Sequence, residues 1–211
     1  MLHPGPPSRA EGVGLAGLRH TRQVNDQHDT TPPQALREGK YARIERERRF
    51  LLAAPVPAAA VTARRLITDR YLPGTRLRLR RVEYADGGAT EFKLTQKVPS
   101  GQTGHVRGLI TNTYLTPAEY NLLAELRADV IVKTRLTIPP LVIDIFEPPL
   151  HGLVLGETEF VSDDAARSFQ RPPMAAAEVT DDSRFTGGVL VNASRSDLRS
   201  WLADYGLTLT P

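Results

Sequence analysis

The chain has 211 residues, 40% of them apolar and 24% charged, the balance of one ordinary globular domain with room for a tail. Its 27 basic and 24 acidic side chains leave a formal charge of +3, basic in sign but too sparse for a protein that rides on nucleic-acid backbone. No apolar run approaches the ~18 residues a bilayer span needs, Val13 to Leu18 is too short and glycine-rich for a signal-peptide core, and zero cysteine excludes disulfide scaffolds, thiolate zinc sites and cysteine nucleophiles. A soluble cytoplasmic protein is the expectation.

Residues 1–40 carry Pro4, Pro6, Pro7, Pro32 and Pro33 among scattered polar residues, with no apolar period of 2 or 3.6, and read as a disordered leader ahead of one domain over 41–211. From Tyr41 onward, short stretches rich in β-branched residues alternate with turn chemistry, which predicts strands near 42–52, 61–72, 75–85, 89–98, 105–115, 129–138, 141–147 and 153–161. Asp86-Gly87-Gly88 supplies the positive φ of a tight hairpin, and Pro139-Pro140 and Pro148-Pro149 end strands that cannot continue. Thr116, Pro117 and Glu119 predict a capped helix start running to about Leu126. A last helix is expected from Ser196, as its cap, to about Tyr205, stopped at Gly206 and anchored by Trp201.

Residues two apart in a strand share a face, so the parity of the charges is informative. Glu45, Glu47 and Arg49 share one face; so do Arg76, Arg78 and Arg80, then Lys93 and Lys97, then Lys133 and Arg135, then Glu157 and Glu159, while Asp144 lies alone between Ile143 and Ile145. Each set read alone fits the solvated side of an amphipathic sheet. Same-face pairs and triplets of long charged residues in at least five strands fit better a sheet closed into a barrel with its charged face inward. Two cations ~5 Å apart at an effective dielectric near 20 repel by about 3 kcal/mol, so a lumen walled by so many cations calls for an anion. Arginine forks and lysine point charges suit phosphate oxygens, and clustered carboxylates without His or Cys suit a hard divalent ion, Mg²⁺ or Mn²⁺.

These residues resemble the CYTH domain, or triphosphate tunnel metalloenzyme, superfamily, which includes inorganic triphosphatases, thiamine triphosphatases and class IV adenylate cyclases. Glu45-Arg46-Glu47-Arg48-Arg49 is similar to its opening E-x-E-x-K strand, and Tyr71-Leu72 with Arg76 to Arg80 to its Y-L and R-x-R strand. Lys93 to Lys97 resembles L-T-x-K, Lys133-Thr134-Arg135 resembles K-x-R, and Asp144-Ile145-Phe146 resembles D-x-F. Gly152 to Phe160 resembles G-L-x-x-x-E-x-E-F, and Glu178 to Phe185 the E-V-T-x-D-x-R-F/Y tail, so the likeness runs in order over about 41–192.

The resemblance implies a mainly β (α+β) fold, an eight-stranded antiparallel β-barrel tunnel with a few peripheral helices. It implies that Arg49, Arg78, Arg80, Lys97, Lys133 and Arg135 hold a triphosphate, with Arg76 and Lys93 as additions on the same faces. Glu45, Glu47, Glu157 and Glu159, with Asp144 nearby, match the metal-binding acids, and Tyr71 and Lys133 the pair that polarises the attacking water. Three departures stand out: Arg49 replaces the opening Lys, Val142 stands where many members carry Glu, and Gly108, Leu109 and Ile110 follow Arg107 where many place alternating acids. The expected activity is metal-dependent hydrolysis of a small polyanion, whether inorganic triphosphate, a nucleotide or thiamine triphosphate. The alternatives are a class IV-type adenylate cyclase and a non-catalytic polyphosphate or nucleotide binder.

Other chemistries find no footing. His105 and His151 have no partner at zinc-ligand spacing, Ser183 and Ser194 lack nucleophile-elbow glycines, and Gly187-Gly188 is in no P-loop frame. Arg46 and Arg48 fall on the outer face as solvated charges. Nucleic acid and membrane are not expected partners, and self-pairing into a homodimer is left open.

Overall fold

The computed structural model describes residues 38–53, 56 and 58–209. The leader expected over 1–40 therefore lies outside the described residues up to 37. Residues 38–40 turn back onto the first strand, where Glu38 Oε1 accepts from Ile44 N at 3.0 Å.

Among the described residues the strands are β1 (Ala42–Leu52), β2 (Ala63–Tyr71), β3 (Leu77–Tyr84), β4 (Glu91–Pro99), β5 (Val106–Leu115), β6 (Asp129–Ile138), β7 (Leu141–Phe146), β8 (Val154–Glu159) and β9 (Ala175–Glu178). Of four short α-helices, α1 (Pro117–Ala124) and α2 (Asp163–Ser168) lie between strands, and α3 (Gly187–Leu190) and α4 (Arg195–Ala203) follow β9. The sheet order β5-β4-β3-β2-β6-β7-β8-β1-β9 is closed by a β5–β1 pairing, which makes β1 to β8 an antiparallel eight-stranded barrel with β9 as an extra strand on β1. The eight barrel strands lie where the alternation places them, trimmed by a residue or two where a bend begins, as at Thr75 and Arg76.

Closure depends on β1. Its first half pairs with β5 and its second half with β8, with a register shift between Glu45 and Arg46. Opposite Glu45 lies Gly108 at φ 143°, where a Cβ would sit 2.0 Å from the Val98 carbonyl oxygen. β4 and β5 approach too closely for a side chain there, which accounts for one of the missing acids.

α1 starts as expected, with the reciprocal Thr116/Glu119 capping box. α4 starts earlier than expected. Its cap is Ser194, whose Oγ accepts from Asp197 N at 3.1 Å while Asp197 Oδ2 accepts from Ser194 N at 2.8 Å. The acid three residues on decides between the two serines, and Ser196 falls inside the helix. β9, Ala175-Ala176-Ala177-Glu178, went unanticipated because alanine carries no strand preference; its pairing with Phe50, Leu51 and Leu52 makes it a strand.

Two apolar clusters flank the barrel wall. On the outside, Phe50, Leu52, Leu136, Ile138, Leu141 and Ile143 pack with Ala175. On the inside, Leu51, Ile131, Phe146 and Leu155, which share strand parity with the charged residues, meet Val179, Phe185, Leu190, Leu198 and Leu202 of the C-terminal segment. The segment after β9 thus fills one end of the lumen with apolar side chains, and the charged section lies beyond that floor. Trp201 packs onto this cluster, edge-on to Phe185 at 6.2 Å, as the anchor expected of the last helix.

Candidate functional site

The inner face gathers the charges that parity had assigned to one side, and it arranges them in ion pairs. Asp69 of β2 stands opposite Arg80 of β3 in register. Arg80 Nε donates to Asp69 Oδ1 at 2.6 Å and Nη2 to Oδ2 at 2.7 Å, with Arg78 Nε 3.4 Å from Oδ1. β6 and β7 repeat the device: Asp144 stands opposite Arg135, which donates through Nε to Oδ1 at 2.6 Å and through Nη2 to Oδ2 at 2.7 Å, while Lys133 Nζ reaches Oδ2 at 2.5 Å. Asp69 is 0% exposed and Asp144 1%. Burial pushes both carboxyl groups up, and the paired cations more than reverse it, holding both well below the usual carboxylate range.

A third group joins β1, β4, β6 and β8. Lys97 Nζ donates to Glu45 Oε1 at 2.7 Å, Arg49 Nε lies 3.3 Å from Glu47 Oε1, and Arg135 Nη2 donates to Glu157 Oε2 at 2.7 Å. Glu47 faces Glu159 across the β1–β8 ladder. Burial, then the neighbouring Glu157 charge, pushes the Glu47 carboxyl up to about 8 against the pull of Lys97. Carboxyl groups crowded in this way suit a hard divalent cation by donor type, although among the described residues no three His, Asp or Glu already stand as a ligand cage. Asp144, expected among the metal-binding acids, has both oxygens taken by Arg135 and Lys133.

The remaining expected residues lie at the edges of this arrangement. Arg76 is exposed in the bend before β3, Lys93 pairs with Glu91 at 2.9 Å, and Glu159 is exposed at the end of β8. Arg49 is tied to the floor, its Nη1 donating to Phe185 O at 2.8 Å and Nη2 to Thr180 O at 3.2 Å. Tyr71 also belongs to the floor, packed on the inner apolar cluster with its hydroxyl against Gly187. Burial, and then Asp69, pushes its phenol up to about 12, so it stays protonated and acts as a donor. Lys133 has its amine pushed down by burial against the pull of Asp144. Tyr71 pairs with Asp129 and Lys133 with Ile67, so the Asp69/Ile131 rung separates the two expected catalytic residues.

Two expectations change. The lumen cations need no foreign anion to be tolerated, because Asp69, Asp144, Glu45 and Glu157 pair with them inside the wall. Arg46 and Arg48 are on the outer face, as expected, but they are not solvated: Arg46 pairs with Asp163 at 2.7 Å, and Arg48 grips both oxygens of Glu178 at 2.8 and 2.6 Å. Residues of α2 and β9, far along the chain, cover them. Asp69 is the residue that sequence reasoning missed; it shares parity with Tyr71, but one acid in a strand reads as a solvent-facing residue until its partner strand is known.

The fold and site together define a closed β-barrel whose lumen is lined by interleaved arginine, lysine and carboxylate groups above an apolar floor. No protein-family profile matches the chain. The inorganic triphosphatase of Nitrosomonas europaea is 44% identical over 48 residues, 23% of this chain and 32% of that protein, so the matched stretch spans about a third of the relative's length. Among solved structures, the inorganic triphosphatase NE1496 is similar at 26% identity and a TM-score of 0.48, covering 72% of this chain and 96% of that one. The PH1819 protein of Pyrococcus horikoshii follows at 21% identity and a TM-score of 0.43, covering 58% of this chain and 82% of that one. The closed eight-stranded barrel and the 48-residue match to an inorganic triphosphatase agree with the resemblance of the ordered motifs to the CYTH, or triphosphate tunnel metalloenzyme, superfamily.

Proposed function

We propose that the protein hydrolyses inorganic triphosphate or a small organic triphosphate in this lumen, in the cytoplasm. The observation that carries the reading is the convergence of Arg78, Arg80, Lys133 and Arg135 from two sections of the wall onto one inner face, with Lys97 half-exposed beyond them. Guanidinium forks and ammonium groups of this kind neutralise the phosphates that are not attacked and fix the chain of phosphorus atoms in line. Glu45, Glu47, Glu157 and Glu159 would hold Mg²⁺ or Mn²⁺, whose chemistry is charge neutralisation at phosphate oxygens.

In the hydrolysis step the oxygen of a positioned water bonds to the terminal phosphorus as the bridging P–O bond breaks, leaving orthophosphate and pyrophosphate from inorganic triphosphate, or orthophosphate and the organic diphosphate from an organic one, with the water proton passing to solvent or product. Tyr71, protonated at neutral pH, orients an oxygen by donating to it. Lys133, sharing Asp144 with Arg135, offers a positive charge to the same region. Catalysis on this reading is placement and charge. The 44% match to an inorganic triphosphatase supports it within the matched stretch.

The test is phosphate release from inorganic triphosphate, ATP and thiamine triphosphate with Mg²⁺ and with Mn²⁺, beside a Glu45→Gln/Glu47→Gln double variant. Turnover by the wild type that is lost in the variant is expected. No release from any of the three would end the hydrolase reading, and cyclic AMP with pyrophosphate from ATP would replace it with a cyclase.

A further inference from the structure

Asp69 has no place in the machinery described so far, yet it is the most enclosed charge in the lumen. Its carboxylate is 0% exposed and takes both hydrogen bonds of the Arg80 fork, with Arg78 alongside. It also acts electrostatically on Lys133 and Tyr71. Three of the residues expected to meet a polyanion, Arg78, Arg80 and Lys133, thus already face one anion supplied by the chain. The two carboxylate oxygens accept from one guanidinium edge, the arrangement a phosphate would offer through two of its own oxygens.

We propose that Asp69 is a resident anion: a positioning residue that holds Arg78 and Arg80 extended into the lumen and competes with incoming phosphate for them, so that short anions bind weakly and only a longer polyphosphate, touching more of the wall, displaces the balance. This rests on the reading of the lumen as a polyanion site and deepens it to selection by charge and length. The repeat of the device at Asp144 and Arg135, with the same two distances, shows that the pairing is a feature of the wall and not an accident of one rotamer. Arg78 Nε adds to the case, because it is buried, makes no hydrogen bond beyond its 3.4 Å ion pair with Asp69 Oδ1, and has a proton to donate to a further oxygen. Competition follows from the chemistry: an arginine edge satisfied by a carboxylate gains little from a second anion unless that anion brings other contacts.

The experiment follows thermal unfolding in EDTA against increasing inorganic triphosphate and pyrophosphate, for the wild type, Asp69→Asn and Asp69→Glu. Asp69→Asn is expected to be less stable without anions, to bind pyrophosphate about tenfold more tightly than the wild type, and to recover its stability as triphosphate is added. Asp69→Glu keeps the charge and should bind pyrophosphate within about twofold of the wild type. Unchanged or weaker pyrophosphate binding by Asp69→Asn overturns the proposal. So does an Asp69→Asn chain that saturating triphosphate does not fold, or equal tightening in Asp69→Glu. If the wild type ignores both anions and hydrolyses nothing while Asp69→Asn binds them, the resident anion stands and the hydrolase reading falls. If the wild type is active and Asp69→Asn binds as it does, the reverse holds.

Discussion

At the scale of single residues, the lumen is governed by carboxylates that have lost their water and gained arginine. Burial works against ionised Asp69 and Asp144, and the guanidinium groups opposite them in register win. Because both folded carboxyl groups titrate below their ordinary value of 3.8, they contribute stability that is fully present above that value and is lost as pH falls further. Thermal midpoints of a Glu47→Gln variant, which lacks the opposing titration of that raised carboxyl, should hold steady from pH 6 to about pH 4 and then fall steeply. Removing a partner strands the acid. Arg80→Gln should cost about 3–5 kcal/mol at neutral pH and flatten the acid limb, because Asp69 then gains less from remaining charged; denaturant melts at pH 7 and pH 4 check both. Glu47 is the converse case, a carboxyl pushed up to about 8 by burial and by Glu157. Glu47→Gln should raise the thermal midpoint of metal-free protein at pH 8 and abolish any stabilisation by Mg²⁺, as differential scanning calorimetry with and without the ion would read.

At the scale of elements, caps and close approaches decide what the barrel can do. Ser194→Ala should cost about 1 kcal/mol and Ser196→Ala only a few tenths, a contrast that distinguishes the observed start of α4 from the one its serines first suggest. The start of α3 carries a functional consequence. A Cβ at Gly187 would lie 1.9 Å from the Tyr71 hydroxyl oxygen, so Gly187→Ala should destabilise the fold and displace the phenol, and Tyr71→Phe in the same chain should recover part of the loss. A double-mutant cycle in thermal stability shows this coupling as non-additivity; additive losses would mean that the tail and Tyr71 are independent. The eight barrel strands were legible because each alternates an apolar face with a charged one, a signal local to the strand. β9, α2 and α3 were not, since Ala175-Ala176-Ala177 and Gly187-Gly188 take their structure from what they pack against. The same division runs through the site. Parity placed Arg78, Arg80, Lys133 and Arg135 on one inner face, whereas the role of Asp69 depended on which strand came to lie beside it.

At the scale of the whole molecule, the C-terminal segment is part of the core and part of the site. More than half of the inner apolar cluster lies from Val179 onward, and the carbonyls of Thr180 and Phe185 hold Arg49. Outside the wall, Arg48 ties β1 to Glu178 of β9, and Asp182, Arg184, Asp204 and Tyr205 pair among themselves beyond it. A chain ending at Phe160 keeps every barrel strand and should still fail to unfold cooperatively, which circular dichroism on the truncated protein would reveal.

The seam at β1 has a bearing on how the molecule comes into being. The first strand finds its neighbours in β5, β8 and β9, and the Glu47↔Glu159 and Phe50↔Glu178 rungs join residues more than a hundred positions apart. During synthesis the opening strand therefore leaves the ribosome long before its later partners exist, with its alternating Glu and Arg side chains and both of its edges in water. Charges on that strand disfavour pairing with a neighbouring nascent chain during the wait. Closure, when it comes, joins distant ends of the sequence, and that places the domain among the slower folders, in the range of milliseconds to seconds.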